Sequence, residues 1–419
     1  MATNYWVGAS GTLAQTGTIT VTAYDAATTY AVIIGGITVS VVGSGGTTTT
    51  VATALTTALN ASVYPYFSYI TWSSVGAVIT ATSDVAGMPF TLTTSETGGA
   101  GTIGDYVATV ANAGPQDWAS TGNWSLGAVP VSTNDVVIQD SASQILWGMD
   151  QSAVVLNSLT IKKTFTGKIG LNRLSFATNA TGTTTTASDT IPYTEYRPIY
   201  LSISATTVQI GENFGPSSPA GSGRIMLNLG TDPSTVIIHS TAQTPAETGK
   251  QAVRIKADDN ATDIFVRSAP GGVGIATDAP GETSTIRKVS VDDLTTNSRV
   301  TTGAGVTCTT WYQDGGQNVQ QAAATVTTVT VNGGTLQAEG AFTTTTLNQT
   351  GGTYYQNATG TAITTANIYG GTLDFTNSNQ ARTITTLNRF KGGTIRGLNS
   401  TIITVTNALG LTQGGTIND

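Results

Sequence analysis

The phrase Gly-Gly-Thr occurs five times in the last third of the chain: at Gly333-Gly334-Thr335, Gly351-Gly352-Thr353, Gly370-Gly371-Thr372, Gly392-Gly393-Thr394 and Gly414-Gly415-Thr416. Successive occurrences lie 18, 19, 22 and 22 residues apart. A second phrase keeps step with it: Thr327-Thr328-Val329, Thr345-Thr346-Leu347-Asn348, Thr364-Thr365-Ala366-Asn367 and Thr385-Thr386-Leu387-Asn388. A period near 20 residues marks a solenoid, whose units bury an apolar face only by stacking on their neighbours. A coil of that length holds two or three short strands and their turns. The spacing therefore predicts that the glycine pair forms a tight corner and that Leu336 and Leu373 point inward. Threonines should stack on threonines of the next coil. The fold class expected is all-β: a right-handed parallel β-helix from about residue 115 to the C-terminus, preceded by a small β-rich α+β domain.

Residues 140–320 are less regular. Strand phrases recur at 154–161, 199–203, 224–229 and 252–256, with longer loops expected at 181–196 and 213–223. Stacked coils advance by about 4.8 Å, so a dozen would make a rod of roughly 60 Å. Composition agrees. Charged residues are 10% of the 419, against about 25% in an ordinary globular chain. Their place is taken by Thr, Ser, Asn, Gln and 49 glycines, which favour strands and turns over helices.

Residues 1–97 read as one small domain. Strand phrases at 30–34 and 37–41 flank Gly35-Gly36, the pattern of a hairpin. Threonines 47–50 offer an N-cap, and Val51, Ala54, Leu55, Ala58 and Leu59 share one helical face. Strands are expected at 69–72 and 77–81, with 87–92 closing the unit. The Gly/Ala-rich stretch 98–114 reads as a linker, 115–320 as irregular solenoid and 321–419 as regular solenoid.

Two segments carry a resemblance. The run 30–41, the helix ending Leu59-Asn60-Ala61, and 77–81 followed by Ala86-Gly87-Met88-Pro89-Phe90-Thr91-Leu92 resemble a small module of bacteriophage tail and other virion structural proteins. That resemblance spans residues 20–95, under a quarter of the chain, and its motifs contain no catalytic residue. Next, Asp117-Trp118, Asn123-Trp124-Ser125, Val129-Pro130 and Asn134-Asp135-Val136-Val137-Ile138 resemble the opening coil of bacterial and phage β-solenoids. A solenoid end is an open apolar cross-section that Trp118, Trp124 and Trp147 are suited to cover; the other use of such a cluster is sugar binding.

No catalytic, cofactor-binding or metal residue is assigned from the sequence. With one cysteine, Cys308, and one histidine, His239, neither an internal disulfide nor a protein-only zinc site is expected. His239 reads as a solvent-facing strand residue, and Gly271-Gly272-Val273-Gly274 as a turn. The acids that a polysaccharide-cleaving spike would draw on are Glu195, Glu212, Asp258, Asp259, Asp263, Asp278, Glu282, Asp292, Asp293 and Asp314. Glycoside hydrolysis needs two carboxyls about 5 to 10 Å apart, and Asp258 and Asp263 are the pair that adjacent strands could bring together. Asp in turns is the commoner use. Asp292-Asp293 lacks the repeated acidic loop of a calcium site.

Net charge is −7, and the basic pairs Lys162-Lys163 and Arg287-Lys288 are too sparse for a phosphate track, so nucleic acid is not an expected partner. No window approaches the roughly 20 apolar residues of a membrane span, and the N-terminus lacks the look of a secretory signal. Together with the resemblance, these readings imply a non-enzymatic structural protein of the exterior of a phage particle. It would be made in the host cytoplasm, docked through the N-terminal domain to capsid or tail proteins and assembled as a homotrimer. Host surface glycan is a further expected partner. The alternatives are a tailspike-like polysaccharide depolymerase and a bacterial surface adhesin.

Overall fold

The computed structural model describes residues 2–171, 175–178, 184–185, 191–194, 200–212, 221–278, 281–292, 298–320, 325–339, 342–357, 360–377, 381–390, 392–397, 403–409 and 417–418. The chain is 52% strand and 6% helix, with stacked parallel strands forming a β-solenoid from residue 135 to 407 and a small β-rich part near the N-terminus.

The coil 305–320 shows how the sequence builds a rung. Its long strand, Gly305–Gln313, buries Val306 and Cys308, then Trp311 and Gln313. Strict alternation would bury position 310; instead Thr309 and Thr310 both face outward. That extra residue turns a corner, and the register skips it: Cys308 pairs with Val326 and Thr310 with Thr328. A second corner leads to Gln317–Gln320. Each coil thus has three faces, here called first (305–308), second (310–313) and third (317–320).

The glycine pair makes the second corner, as the period predicts. Gly334, Gly352 and Gly371 have φ of 65°, 62° and 73°, which side chains with a Cβ rarely adopt. A Cβ at Gly333, Gly351 or Gly370 would strike the carbonyl oxygen of Asp314, Asn332 or Thr350 one coil below. Leu336 and Leu373 are fully buried. On the second face Thr310, Thr328, Thr346, Thr365 and Thr386 stack in register. Two positions on, Asn367 Nδ2 donates to Asn348 Oδ1 (2.9 Å) and Asn388 Nδ2 to Asn367 Oδ1 (2.8 Å). Gly352→Ala is expected to cost about 1–3 kcal/mol in backbone strain plus the clash with the corner below. Gly36→Ala, at φ 78° in open space, should cost only the strain. Urea melts check the difference, with each shift read on the transition of the unit that holds the substitution, the inserted domain for Gly36 and the rod for Gly352.

The order of elements near the N-terminus departs from a domain, linker, rod sequence. Thr3–Tyr5 is itself the first rung, parallel to Asp135–Ile138, with Thr3 opposite Asp135 and Tyr5 opposite Val137. The chain then leaves the stack, builds the small domain over 16–110, and returns. Leu13 and Ala113 bridge as it leaves and re-enters, with Leu13 N donating to Ala113 O (2.8 Å). The small domain is therefore an insertion between the first two rungs. The stretch 98–114 is not a linker either. Thr102–Ile103 and Val107–Val110 pair antiparallel with Thr16–Ala23. Its glycines serve close approach, since a Cβ at Gly99 or Gly101 would overlap Asp25 or the Tyr30 hydroxyl.

Within the inserted domain the hairpin Thr29–Ile34 and Ile37–Val42 turns at Gly35-Gly36. The helix Thr48–Asn60 starts at an N-cap on Thr47, with a capping box to Thr50. It buries Val51, Ala52, Leu55, Thr56 and Leu59 against Ile19, Tyr30, Trp72 and Ile79. The closing strand is Thr93–Thr97 rather than 87–92. At Phe90 the ladder is replaced by one side chain: Gln15 Nε2 donates to Phe90 O (2.8 Å) and Gln15 Oε1 accepts from Phe90 N (3.1 Å). The loops expected at 181–196 and 213–223 lie largely outside the described residues, as does the fifth repeat, 414–416.

Candidate functional site

Among the described residues, side chains from distant parts of the chain converge at the capped end of the rod and over the outer surface of its third face.

At the capped end Trp6 stacks on Trp118 (centroids 6.4 Å), and Trp124 meets both edge-on, at 5.2 and 4.5 Å. All three are buried, Trp118 completely. Asn123, also fully buried, donates from Nδ2 to the carbonyls of Gly114 and Asp117 (both 2.7 Å), fixing the Asn-Trp turn. Trp118 and Trp124 therefore close the apolar cross-section and leave no ring face for a sugar. Trp147 takes another role. With Ile34, Tyr66, Phe90 and Met149 it lines a cavity of about 410 Å³ between the inserted domain and the first coils. Asp117 sits in that wall, where burial pushes its carboxyl above the usual range despite hydrogen bonds from Asn112 and the Ala119 amide.

On the third face Arg254 occupies an outward position between Met226 and Gly274 of adjacent coils, yet is 1% exposed. The loop that follows His239 brings Glu247 to it. The Glu247 carboxylate accepts from Arg224 Nη1 (2.7 Å) and from Arg254 Nη2. Asp278, from the next coil, accepts from Arg254 Nη1 (2.8 Å) and Tyr200 Oη (2.8 Å), with Lys250 Nζ at 3.4 Å. Glu282 Oε2 accepts from Asp278 N (2.8 Å) and lies 3.4 Å from Tyr200 Oη. Burial, then the negative charges of Asp278 and Glu282, drive the Tyr200 phenol far above its ordinary range. Burial lowers the Arg224 guanidinium, opposed by Glu247. Coulomb attraction at short range in a poorly solvated site holds this cluster together, because each buried charge has an opposite partner.

Of the acids named from the sequence, Asp278 and Glu282 meet at the Tyr200 hydroxyl, whereas Asp258 and Asp263 share no such group. Those two lie on one coil rather than on adjacent strands: Asp258 bridges to Thr285 and Asp263 pairs with Lys288, both in the following coil. Asp258 is exposed. Asp259 Oδ1 accepts from Ala261 N (2.6 Å), the turn use expected of Asp. Asp263 holds Arg287 through two bonds, 2.8 and 2.7 Å. Asp292 accepts from Ser290 Oγ (2.8 Å), Asp314 accepts from Asn332 Nδ2 (2.7 Å), and Glu212 ends the strand Leu201–Glu212. Glu195 and Asp293 lie outside the described residues. Among the described residues no group of three or more His, Cys, Asp or Glu is arranged to hold a metal.

His239 follows the strand Thr235–Ile238, is half-buried, and its Nε2 lies 3.2 Å from Gln209 Oε1; burial lowers its pKa. Lys288 is not simply solvated: its Nζ sits 4.9 Å from the ring centroids of both Phe265 and Tyr312, a cation–π position. Cys308 is buried in the first face, and burial pushes its thiol up to about 12. It should therefore stay a thiol at pH 8 and resist a thiol-labelling reagent in the native state, reacting fully once the chain is unfolded in guanidinium. Labelling of the folded protein within minutes would contradict this.

Sequence reasoning passed over Arg224, Glu247, Arg254 and Tyr200. Alternation in Ala252-Val253-Arg254-Ile255 shows that Arg254 points outward, but nothing local shows that a loop covers it. Compared with known protein families, with curated proteins and with solved structures, the chain has no match.

Proposed function

We propose that this chain is a structural component of the exterior of a phage particle, either a capsid decoration or part of a tail fibre or spike. The observation that carries the reading is the head-on-rod plan: an inserted domain seated on the closed end of a stiff solenoid, with its two connecting strands pinned at Leu13 and Ala113. Such a plan suits docking through the head and display of the rod, and it agrees with the virion-module resemblance of residues 20–95. The rod's outer positions are spent on stacked Thr and Asn, and most of its buried carboxylates are neutralised by guanidinium groups, which suits a passive scaffold. The sheet faces of a solenoid favour side-by-side packing, and three copies are proposed to associate in this way.

Antibodies raised against the rod test the placement. They should decorate the outside of intact particles in electron micrographs, and the chain should appear among the proteins of purified particles. Its absence from particles overturns the reading. Sedimentation should give three times the 42.8 kDa chain mass. One observation favours a second reading, a polysaccharide depolymerase: Asp278 and Glu282 share the Tyr200 hydroxyl. New reducing ends released from host polysaccharide, and lost in Glu282→Gln, would promote it.

A further inference from the structure

Beside the buried ion cluster, the third face carries an open groove of about 900 Å³. Its floor is made of outward residues from consecutive coils. Arg299, Gln317 and Thr335 are paired in register, as are Gln337 and Tyr355. Because coils repeat at about 4.8 Å, the groove presents similar groups at regular steps along the rod. The loop bearing Lys250 and Gln251 forms one wall, and the ion cluster anchors that loop: Glu247 is held by Arg224 and Arg254, and Lys250 lies against Asp278.

The chemistry of the lining is specific. Side-chain amides of Gln251, Gln317 and Gln337 can both donate and accept, as threonine hydroxyls can, which suits a ligand rich in hydroxyl groups. Tyr355 adds a ring with an apolar body and a polar tip. Among the described residues the lining includes two cations, Lys250 and Arg299, and no carboxylate, on a chain of net charge −7. Acids next to it are already engaged: Asp278 by Arg254, Glu339 by the amides of Gln337 and Asn357, and Asp374, paired with Tyr355 in the next coil, by Thr376 Oγ1 (2.6 Å) and Arg396 (3.8 Å). Two cations and one ring are too few for a nucleic-acid track, which needs a charge for each of several phosphates and several stacking platforms.

We propose that this groove binds an acidic polysaccharide, with Arg299 taking a sugar carboxylate or sulfate as a two-bond partner and the glutamines and threonines reading the hydroxyls. The inference rests on the reading of the rod as the exposed part of a particle, and it names what that exposed face holds.

The test uses the purified full-length chain in calorimetry at about 0.15 M salt, where long-range charge attraction is screened. The probes are oligogalacturonate, oligosialic acid and sulfated dextran fragments, with uncharged dextran of equal length and a single-stranded DNA of equal charge as comparisons. At least one acidic oligosaccharide should bind saturably, about tenfold or more tighter than uncharged dextran and than DNA. Arg299→Glu should weaken it by about tenfold or more, and Tyr355→Ala should weaken it too. Both substitutions face outward, so each variant should melt as the parent does. The proposal is overturned if none of the three acidic probes binds saturably at millimolar concentration, if DNA binds as tightly, or if Arg299→Glu binds as well as the parent. Binding by purified protein does not depend on where the chain sits on a particle, so this result and the antibody-labelling result stand or fall separately.

Discussion

Trp118→Ala is expected to destabilise the rod by about 3–5 kcal/mol, the cost of emptying a large, fully buried aromatic site. Trp118 is 0% exposed and touches both Trp6 and Trp124, so neither ring can follow it into the gap without leaving the other. The loss should be read in a variant without the inserted domain, because two cores unfolding separately would not give one transition. The pairing of Leu13 with Ala113 indicates how to make it: replace residues 14–112 by a short Gly-Ser connection. That protein keeps the Thr3–Tyr5 rung and Trp6, and should remain a folded β rod. Removing residues 1–112 outright takes away both, opens the apolar end and should yield aggregates. Equal urea midpoints for Trp118→Ala and its parent would show that the tryptophans do not close the end. The same excision variant tests docking, since it should fail to join particles while staying folded.

Arg254→Met should cost a comparable amount, about 3–5 kcal/mol, because it leaves Glu247 and Asp278 without their shared guanidinium in a poorly solvated place. The contrast is Arg287→Met. Arg287 also makes two bonds to a carboxylate, but its side chain is 55% exposed, and exposed pairs are worth about 0–1 kcal/mol. Adding Asp278→Asn to Arg254→Met should recover part of the loss, since Glu247 keeps Arg224 as its partner and the uncompensated charge goes with the cation. Unfolding by guanidinium, monitored by circular dichroism, measures all four proteins. Equal stability of the Arg254 and Arg287 variants would show that the cluster is solvated rather than buried.

Particular residues show which parts of this molecule were readable beforehand. The coil period, the glycine corners at Gly334, Gly352 and Gly371, the inward Leu336 and Leu373 and the threonine stack followed from spacing alone. In a solenoid each residue's neighbours lie one coil away, so a local pattern is also a tertiary one. The capping role of Trp118 and Trp124 followed from the need to cover an open end. Trp6 did not suggest itself, because its partners are more than a hundred residues distant and the intervening domain breaks the sequence neighbourhood.

Composition and period determined that this chain would be a threonine-rich solenoid with a small mixed domain near its start, since β-branched residues, glycine corners and a 20-residue repeat admit few other stable arrangements. Only the tertiary structure decided that Thr3–Tyr5 begins the rod and that the small domain is an insertion, because a three-residue strand carries too little pattern to announce its partner. It alone decided which acids meet. Asp258 and Asp263 are near in sequence, yet Asp258 is exposed and Asp263 is held by Arg287. Tyr200 and Glu282, 82 residues apart, come together because the coils between them stack and a loop folds back over the third face. Long-range electrostatics of that kind depends on where loops lie in space, and loop paths leave no periodic trace in a sequence.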